Sequence, residues 1–195
     1  MKLRSVAVAT ALALTLTACG SDESDSGTES APTPTEETST EATEAPESET
    51  LPVAITIIDD VLGDTISVTQ MVRDFASSDA GTAVIEGGGE FVLLELDLAA
   101  GDQFSGGIQG GWKLLTEDGE LAGSATTILD EEMAAAGLTP LDTPSSGETA
   151  TGWVAFQVNT RSDAYTFEYK RQAATVIGQD TEIPEQVWTE PLPTS

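Results

Sequence analysis

Histidine is absent from this sequence of 195 residues, and only one cysteine and seven basic residues are present. Without histidine, the chain lacks the commonest general base, the Ser-His and Cys-His nucleophile pairs, and most zinc and copper sites. With one cysteine, it can form no internal disulfide, so stability must come from a packed core. The catalytic chemistry that stays open uses carboxylates, as glycosidases do, or a Ser-Lys dyad built on Lys113 or Lys170.

The scarcity of basic residues excludes another class of partner. Against seven Lys and Arg stand 34 Asp and Glu, which gives a formal net charge of -27. Nucleic acids and anionic lipid headgroups are bound by basic surfaces. We therefore expect no nucleic-acid partner and no electrostatic attachment to a membrane.

The chain also lacks an apolar run long enough to span a bilayer. Lys2 and Arg4 precede a short apolar segment, residues 6–16, and polar residues follow directly after Cys19. A spanning helix needs roughly 20 apolar residues, whereas a basic start, a short apolar stretch and small residues at its end are typical of a secretion signal. The sequence predicts a signal peptide over residues 1–18, cleaved between Ala18 and Cys19.

The sequence Leu-Thr-Ala-Cys-Gly at residues 16–20 resembles the lipobox of bacterial lipoproteins. The resemblance implies that the Cys19 thiol receives a diacylglyceryl group and that lipid then holds the protein on the extracytoplasmic face of a cell membrane. Two or three acyl chains anchor a protein durably, at roughly 0.8 kcal/mol for each buried CH₂ group. The alternative is an ordinary secretory signal that happens to end at a cysteine.

Composition divides the remaining chain into two parts. Residues 20–50 contain Ser, Thr, Glu, Pro, Ala, Gly and Asp, with no basic or aromatic residue. Such a segment cannot bury enough apolar surface to order itself, so the lipidated Cys19 and the rest of residues 19–50 are predicted to form a disordered acidic tether. Residues 51–195 carry apolar runs separated by turn signals, at a length that suits one domain.

The sequence of the domain predicts a series of short strands. The strongest is residues 91–98, introduced by three consecutive glycines, and Asp118-Gly119 predicts a hairpin between two further strands. A helical turn capped by Asp130 and stopped by Gly137 is expected between strands. The other predicted strands are residues 53–58, 65–75, 112–116, 121–128, 152–159, 165–170, 174–177 and 183–188, of which 152–159 and 165–170 are expected to pair as a hairpin. Many short strands with almost no helical periodicity predict an all-β, antiparallel β-sandwich.

Part of this strand pattern resembles a known family. Residues 89–96, 114–119 and above all Gly152-Trp153-Val154-Ala155-Phe156 followed by Tyr165-Thr166-Phe167-Glu168-Tyr169 resemble extracytoplasmic lipoprotein domains that are immunoglobulin-like (telokin-like) and related to the mycobacterial immunoprotective extracellular antigen. The resemblance covers roughly residues 53–177. It implies an immunoglobulin-like sandwich and a domain of unknown function, and it supplies no catalytic residues.

Four groups of residues are candidates for a site, and the first three have a simpler structural interpretation. Gly87-Gly88-Gly89 precedes a strand rather than the helix that a phosphate cradle requires. Asp59, Asp60 and Asp64 lack the spacing of a calcium loop, which favours a solvated turn, so neither a metal nor a cofactor is predicted. The aromatic residues of the last strands are expected to fill the core. Trp112, after a Gly-rich loop, and Trp188, near the Pro-rich end, are the candidate contact residues.

These observations favour a binding or assembly module, presented by its lipid anchor to an envelope protein or a cell-wall component. We expect no enzymatic activity, because histidine, a free cysteine and a Ser-x-x-Lys motif are all missing. Two alternatives stay open: a carboxylate-based hydrolase of cell-wall glycans, and a structural surface antigen without a ligand.

Overall fold

The structure is a computed structural model that describes residues 49–75, 81–108, 110–178 and 181–194. The predicted signal peptide, Cys19 and nearly all of the predicted tether lie outside the described residues. The first strand begins at Thr50, one residue before the predicted start of the domain. Among the described residues, no helix is long and apolar enough to cross a membrane.

Nearly all regular structure in the domain is β-strand. The strands are β1 (Thr50–Asp59), β2 (Asp64–Val72), β3 (Glu90–Ala99), β4 (Gly110–Leu115), β5 (Leu121–Thr126), β6 (Thr149–Val158), β7 (Thr166–Arg171), β8 (Ala174–Thr175), β9 (Glu182–Ile183) and β10 (Gln186–Pro191). Two short helices, α1 (Thr82–Glu86) and α2 (Asp130–Ala135), interrupt the series. The predicted all-β class is confirmed.

Eight strands hydrogen-bond in the order β1-β2-β3-β6-β5-β4-β7-β10, and every pair is antiparallel. Strands β8 and β9 form a separate two-stranded hairpin. One buried cluster, which we call the main core, contains Ile57 from β1, Leu94 from β3 and Phe167 from β7. Residues from both ends of the strand order therefore meet in one core. The sheet therefore curls over on itself into an antiparallel β-sandwich, as predicted.

Strands β3 and β6 are buried on both faces because a separate cluster of buried residues packs on each face. Leu94 and Phe156 face the main core, whereas Leu93, Trp153 and their neighbours form a second cluster on the other side. That second cluster is covered by Met133 of α2 and by other residues that flank the sheet. The long apolar run of β3, which lacks strict alternation over its first half, follows from this two-sided burial.

The predicted hairpin between residues 152–159 and 165–170 is wrong. Strand β6 pairs with β3 and β5, and strand β7 pairs with β4 and β10, so the segment between β6 and β7 crosses from one half of the sandwich to the other. The prediction that the aromatic residues fill the core is confirmed, because the main core buries Phe156, Tyr165, Phe167 and Tyr169. Trp153 is also buried, but it belongs to the second cluster.

Two local predictions concern turns and a helix end. The hairpin at Asp118-Gly119 is confirmed, since β4 pairs with β5 and Gly119 has φ +78°. The predicted cap at Asp130 is wrong: Asp130 is already the first residue of α2, Leu129 occupies the cap position, and no side chain caps the helix. The acidic side chains still occupy its first turn, where the helix dipole favours negative charge.

The strands of the sandwich run between two ends. The end at which β1 starts (Thr50) and β10 finishes (Pro191) is called the proximal end, and the end at which β1 finishes (Asp59) is the distal end. Strand β1 has ten residues, which span roughly 30 Å at about 3.3 Å for each residue. The outermost strands, β1 and β10, each contain a proline, Pro52 and Pro191.

Candidate functional site

A buried ion pair joins strands β1 and β7 at the distal end. Arg171 is the last residue of β7, and its Nη1 donates hydrogen bonds to both carboxylate oxygens of Asp59, the last residue of β1. The two side chains are 1% and 0% exposed. Because β1 and β7 lie far apart in the strand order, this pair holds the curled sheet together at its distal end.

The remaining hydrogen-bonding groups of this ion pair are also occupied. The Nε and Nη2 of Arg171 donate to the carbonyl oxygen of Pro184 at 3.2 and 2.9 Å. The Oδ1 of Asp59 accepts hydrogen bonds from the backbone N–H groups of Val61 and Leu62, at 3.0 and 3.2 Å. Buried charges are tolerated when their hydrogen bonds are satisfied in this way.

Asp64, at the start of β2, is buried beside this pair but is only half satisfied. It is 2% exposed, and its Oδ1 accepts a hydrogen bond of 2.8 Å from the backbone N–H of Gly101. Its Oδ2 is buried and has no hydrogen-bond partner. Burial raises the pKa of Asp64 above its ordinary value; the Gly101 N–H opposes this rise, the charge of Asp59 adds to it, and Arg171 opposes it.

The Gly-rich loop between β3 and β4 packs directly on the distal turns. A Cβ atom on Gly101 would lie 2.0 Å from the carbonyl oxygen of Leu62, and one on Gly107 would lie 2.0 Å from that of Pro144. The hydroxyl of Ser146 donates to the carbonyl oxygen of Phe104 at 2.6 Å. The glycines of this loop therefore permit a close approach of backbones, and the loop is tied down at several points.

These parts enclose a cavity of about 510 Å³, which we call the distal cavity. Asp64 and Arg171 lie in its wall, the 101–107 loop forms one side, and residues of the β8–β9 hairpin form the other. Much of the lining is apolar, for example Phe104, Val176 and Ile183. Ligand pockets are commonly about 300–1,000 Å³ in volume, mostly apolar, with a few polar groups that fix orientation, and the distal cavity has these properties.

The proximal end carries a second buried ion pair, but its polar groups are satisfied. Arg73 donates to both carboxylate oxygens of Glu90, and the Tyr165 hydroxyl donates to the same carboxylate at 2.7 Å. Arg73 also donates to the carbonyl oxygens of Ser162 and Asp163 at 2.7 and 3.0 Å. Burial, followed by the hydrogen bond to Glu90, raises the pKa of Tyr165 to about 12. This cluster fixes the crossover between β6 and β7.

The two tryptophans singled out from the sequence lie in one row. Trp112 on β4 and Trp188 on β10 are both opposite Tyr169 on β7 in the strand register. The rings of Tyr169 and Trp188 stack with centroids 5.4 Å apart, and the guanidinium of Arg171 lies 5.6 Å from the Trp188 centroid. Both tryptophans are half-buried against the main core and neither lines the distal cavity. Their role as contact residues stays a prediction.

Trp112 does line a separate hollow of about 480 Å³, together with Trp153, Asp130 and several threonines. Its Nε1 is buried without a hydrogen-bond partner. The hollow lies beyond the end of β5. Thr126, the last residue of β5, pairs with Ala155, and the part of β6 from Thr149 to Val154 extends past it. It contains no buried ion pair, and we regard it as secondary to the distal cavity.

The interpretation of Asp59, Asp60 and Asp64 as a solvated turn is wrong for two of the three residues. Asp60 is exposed, but Asp59 and Asp64 are buried, and they belong to the distal cluster. The alternation along the strands already indicates that Asp59 and Asp64 are buried. The inward-facing positions of β1, β2 and β7 alternate with outward ones, and Asp59, Asp64 and Arg171 continue the inward series. In the described ranges, no group of three or more Cys, Asp or Glu side chains could hold a metal ion.

No protein-family model matches the chain, and no curated protein matches it significantly. Among solved structures, it is similar to a functionally unknown protein from Listeria monocytogenes EGD-e, with 10% sequence identity and a TM-score of 0.45. The match covers 76% of this chain and 89% of the other.

Proposed function

We propose that this protein is a bacterial lipoprotein, anchored through lipid on Cys19 to the extracytoplasmic face of the cell membrane, and that it presents a β-sandwich binding module to another envelope component. The observation that carries the binding role is the position of the distal cavity. It lies at the end of the sandwich opposite Thr50, where the chain from the anchor enters the domain. A ligand there would meet the domain at the end opposite the point where the predicted tether joins it.

The chemistry of the distal cavity favours binding over catalysis. Hydrolysis of a glycan by carboxylates requires two of them with free lone pairs, about 5 to 9.5 Å apart on either side of the scissile bond. Asp59 is fully engaged by Arg171 and by backbone N–H groups. Asp64 lines the cavity and has one carboxylate oxygen without a hydrogen-bond partner, but no second carboxylate among the described residues lines it, which suits recognition of a ligand better than acid and base catalysis.

The anchor is tested by replacing Cys19 with alanine in the intact organism or a bacterial expression host. Cys19→Ala is expected to move the protein from the membrane fraction to the soluble extracytoplasmic fraction, because the thiol that receives the lipid is gone. Fractionation followed by immunoblotting measures the shift. A variant that still sediments with membranes after a high-salt wash contradicts lipid anchoring through Cys19.

The binding role is tested by placing a photo-crosslinking amino acid at either end of the domain. Gln103 is exposed and lines the distal cavity, whereas Glu117 is exposed in the proximal β4–β5 turn. On intact cells, crosslinker at position 103 is expected to give a discrete adduct with an envelope component, and crosslinker at 117 is not. Absence of an adduct from both positions favours a structural antigen without a ligand. Turnover of peptidoglycan by the purified protein that Asp64→Asn abolishes would establish the hydrolase instead.

A further inference from the structure

We propose that the distal cavity recognises an aliphatic primary ammonium group, and that the Oδ2 of Asp64 accepts its hydrogen bond. This inference rests on the proposed binding function and assigns a chemical class to the ligand. Asp64 is only 2% exposed. Its Oδ1 accepts a hydrogen bond from the backbone N–H of Gly101, and its Oδ2 has no hydrogen-bond partner. A buried acceptor without a donor is costly, and a ligand that supplies a donor removes that cost.

The charges around Asp64 indicate a cationic donor. The neighbouring Asp59 and Arg171 neutralise each other in a direct ion pair, so the carboxylate of Asp64 is left without a counter-ion of its own. The chain as a whole carries a formal net charge of -27, which attracts cations and repels anions on approach. A hydrogen bond between an ammonium group and a carboxylate is roughly twice as strong as a neutral one.

The size and lining of the distal cavity argue for an organic cation. A calcium ion takes six to eight oxygen ligands, and the described residues provide no cluster of acidic side chains that could hold a metal. At about 510 Å³ the cavity is much larger than an ion, and Phe104, Val176 and Ile183 line it with apolar surface. An aliphatic chain that ends in an amino group would place its carbon atoms against this surface and its charge against Asp64.

The experiment uses the full chain carrying Cys19→Ala, which is lipid-free, and n-butylammonium chloride as the probe. Amide chemical shifts from ¹⁵N-labelled protein are followed by NMR during titration at constant ionic strength. We expect saturable shifts at Gly101, whose N–H bonds to Asp64, and at other residues that line the cavity. Butan-1-ol and butanoate, which have the same carbon chain without the cationic group, are expected to bind at least about tenfold more weakly or not at all.

Two matched variants separate a specific site from general attraction of cations to an acidic protein. Asp64→Asn keeps the size of the side chain and the acceptor for Gly101, and it is expected to weaken butylammonium binding at least about tenfold. Asp102→Asn removes the same charge from an exposed position in the same loop that does not line the cavity, and it is expected to leave binding unchanged. An equal effect of the two variants, or a linear response without saturation, overturns the inference.

The remaining outcomes distinguish this inference from the proposed function. Calcium chloride that shifts the same amides and displaces butylammonium would assign the cavity to a metal and overturn the ammonium class. If butylammonium fails to bind while the crosslinker at position 103 still captures an envelope component, the ligand class is wrong and the binding module stands. If butylammonium binds and no adduct forms, the site is supported and the proposed envelope partner is wrong.

Discussion

Replacing Arg171 with methionine is the sharpest test of how the sandwich is closed. Methionine keeps an unbranched, flexible stem but removes the guanidinium, so the carboxylate of Asp59 loses its counter-charge. That carboxylate is 0% exposed and would keep only its backbone donors. The same change frees the carbonyl oxygen of Pro184 from two hydrogen bonds, which loosens the attachment of the segment before β10.

The expected cost is large relative to the stability of a domain. Removing one partner of a buried ion pair destabilises a protein by about 3–5 kcal/mol, because the other charge stays buried and uncompensated. A whole domain is stable by only about 5–15 kcal/mol. At roughly 3 °C for each kcal/mol in a domain of this size, the melting temperature of Arg171→Met should fall by about 10–15 °C.

Urea unfolding, followed by tryptophan fluorescence, measures this cost from the midpoint at an unchanged slope. The double variant Asp59→Asn with Arg171→Met should be more stable than Arg171→Met alone, because the uncompensated charge is gone. Lys113→Met is the control: its ammonium lies 3.8 Å from Glu168 and the pair is partly exposed, so it should cost no more than about 1 kcal/mol. If Arg171→Met costs as little stability as Lys113→Met, or if the double variant is no more stable than Arg171→Met, the ion pair does not hold the sandwich closed.

Two further predictions concern the tether and Asp64. Limited proteolysis of the lipid-free chain should remove residues 20–50 quickly and leave 51–195 as a resistant core; rapid loss of that core, or a protected tether, would contradict the boundary. Folding raises the pKa of Asp64 above its ordinary value of 3.8, so the stability linked to its protonation is fully present below that value and is lost as pH rises through the folded pKa. Asp64→Asn should therefore gain stability relative to the unmodified chain as pH rises from about 4 to 7, as measured by urea unfolding at each pH; a difference that is flat or that falls would contradict the pKa shift.

Most strands could be predicted from the sequence because their own residues determine them. The alternation in β7 and the long apolar run of β3 arise from local burial on one or two faces, and the hairpin at Gly119 needs only a short turn. The partner of a strand is different, because it depends on the packing of the whole sheet. Strands β6 and β7 look like a hairpin in sequence, but a ten-residue ladder between β3 and β6 outcompetes that pairing.

The candidate site was missed because its charged residues were assigned by residue type rather than by position in a strand. Aspartate near a glycine is usually found in a solvated turn. Asp59 and Asp64 instead continue the inward-facing series of Ile57 and Ile66, and Arg171 continues that of Tyr169. Alternation alone predicts that these residues face inward. What alternation cannot provide is that Asp59 meets Arg171, since this contact spans 112 positions in the sequence.

The prolines on the two outer strands have a consequence for crowding. An exposed strand edge offers N–H and C=O groups to which a second copy of the same sheet could add, and copies held by the proposed lipid anchor would meet at high local concentration in two dimensions. Proline has no N–H group to contribute to such a ladder, and Pro52 interrupts β1 next to a register shift while Pro191 closes β10. Dense arrays of the protein should therefore stay as separate molecules instead of merging edge to edge into fibres.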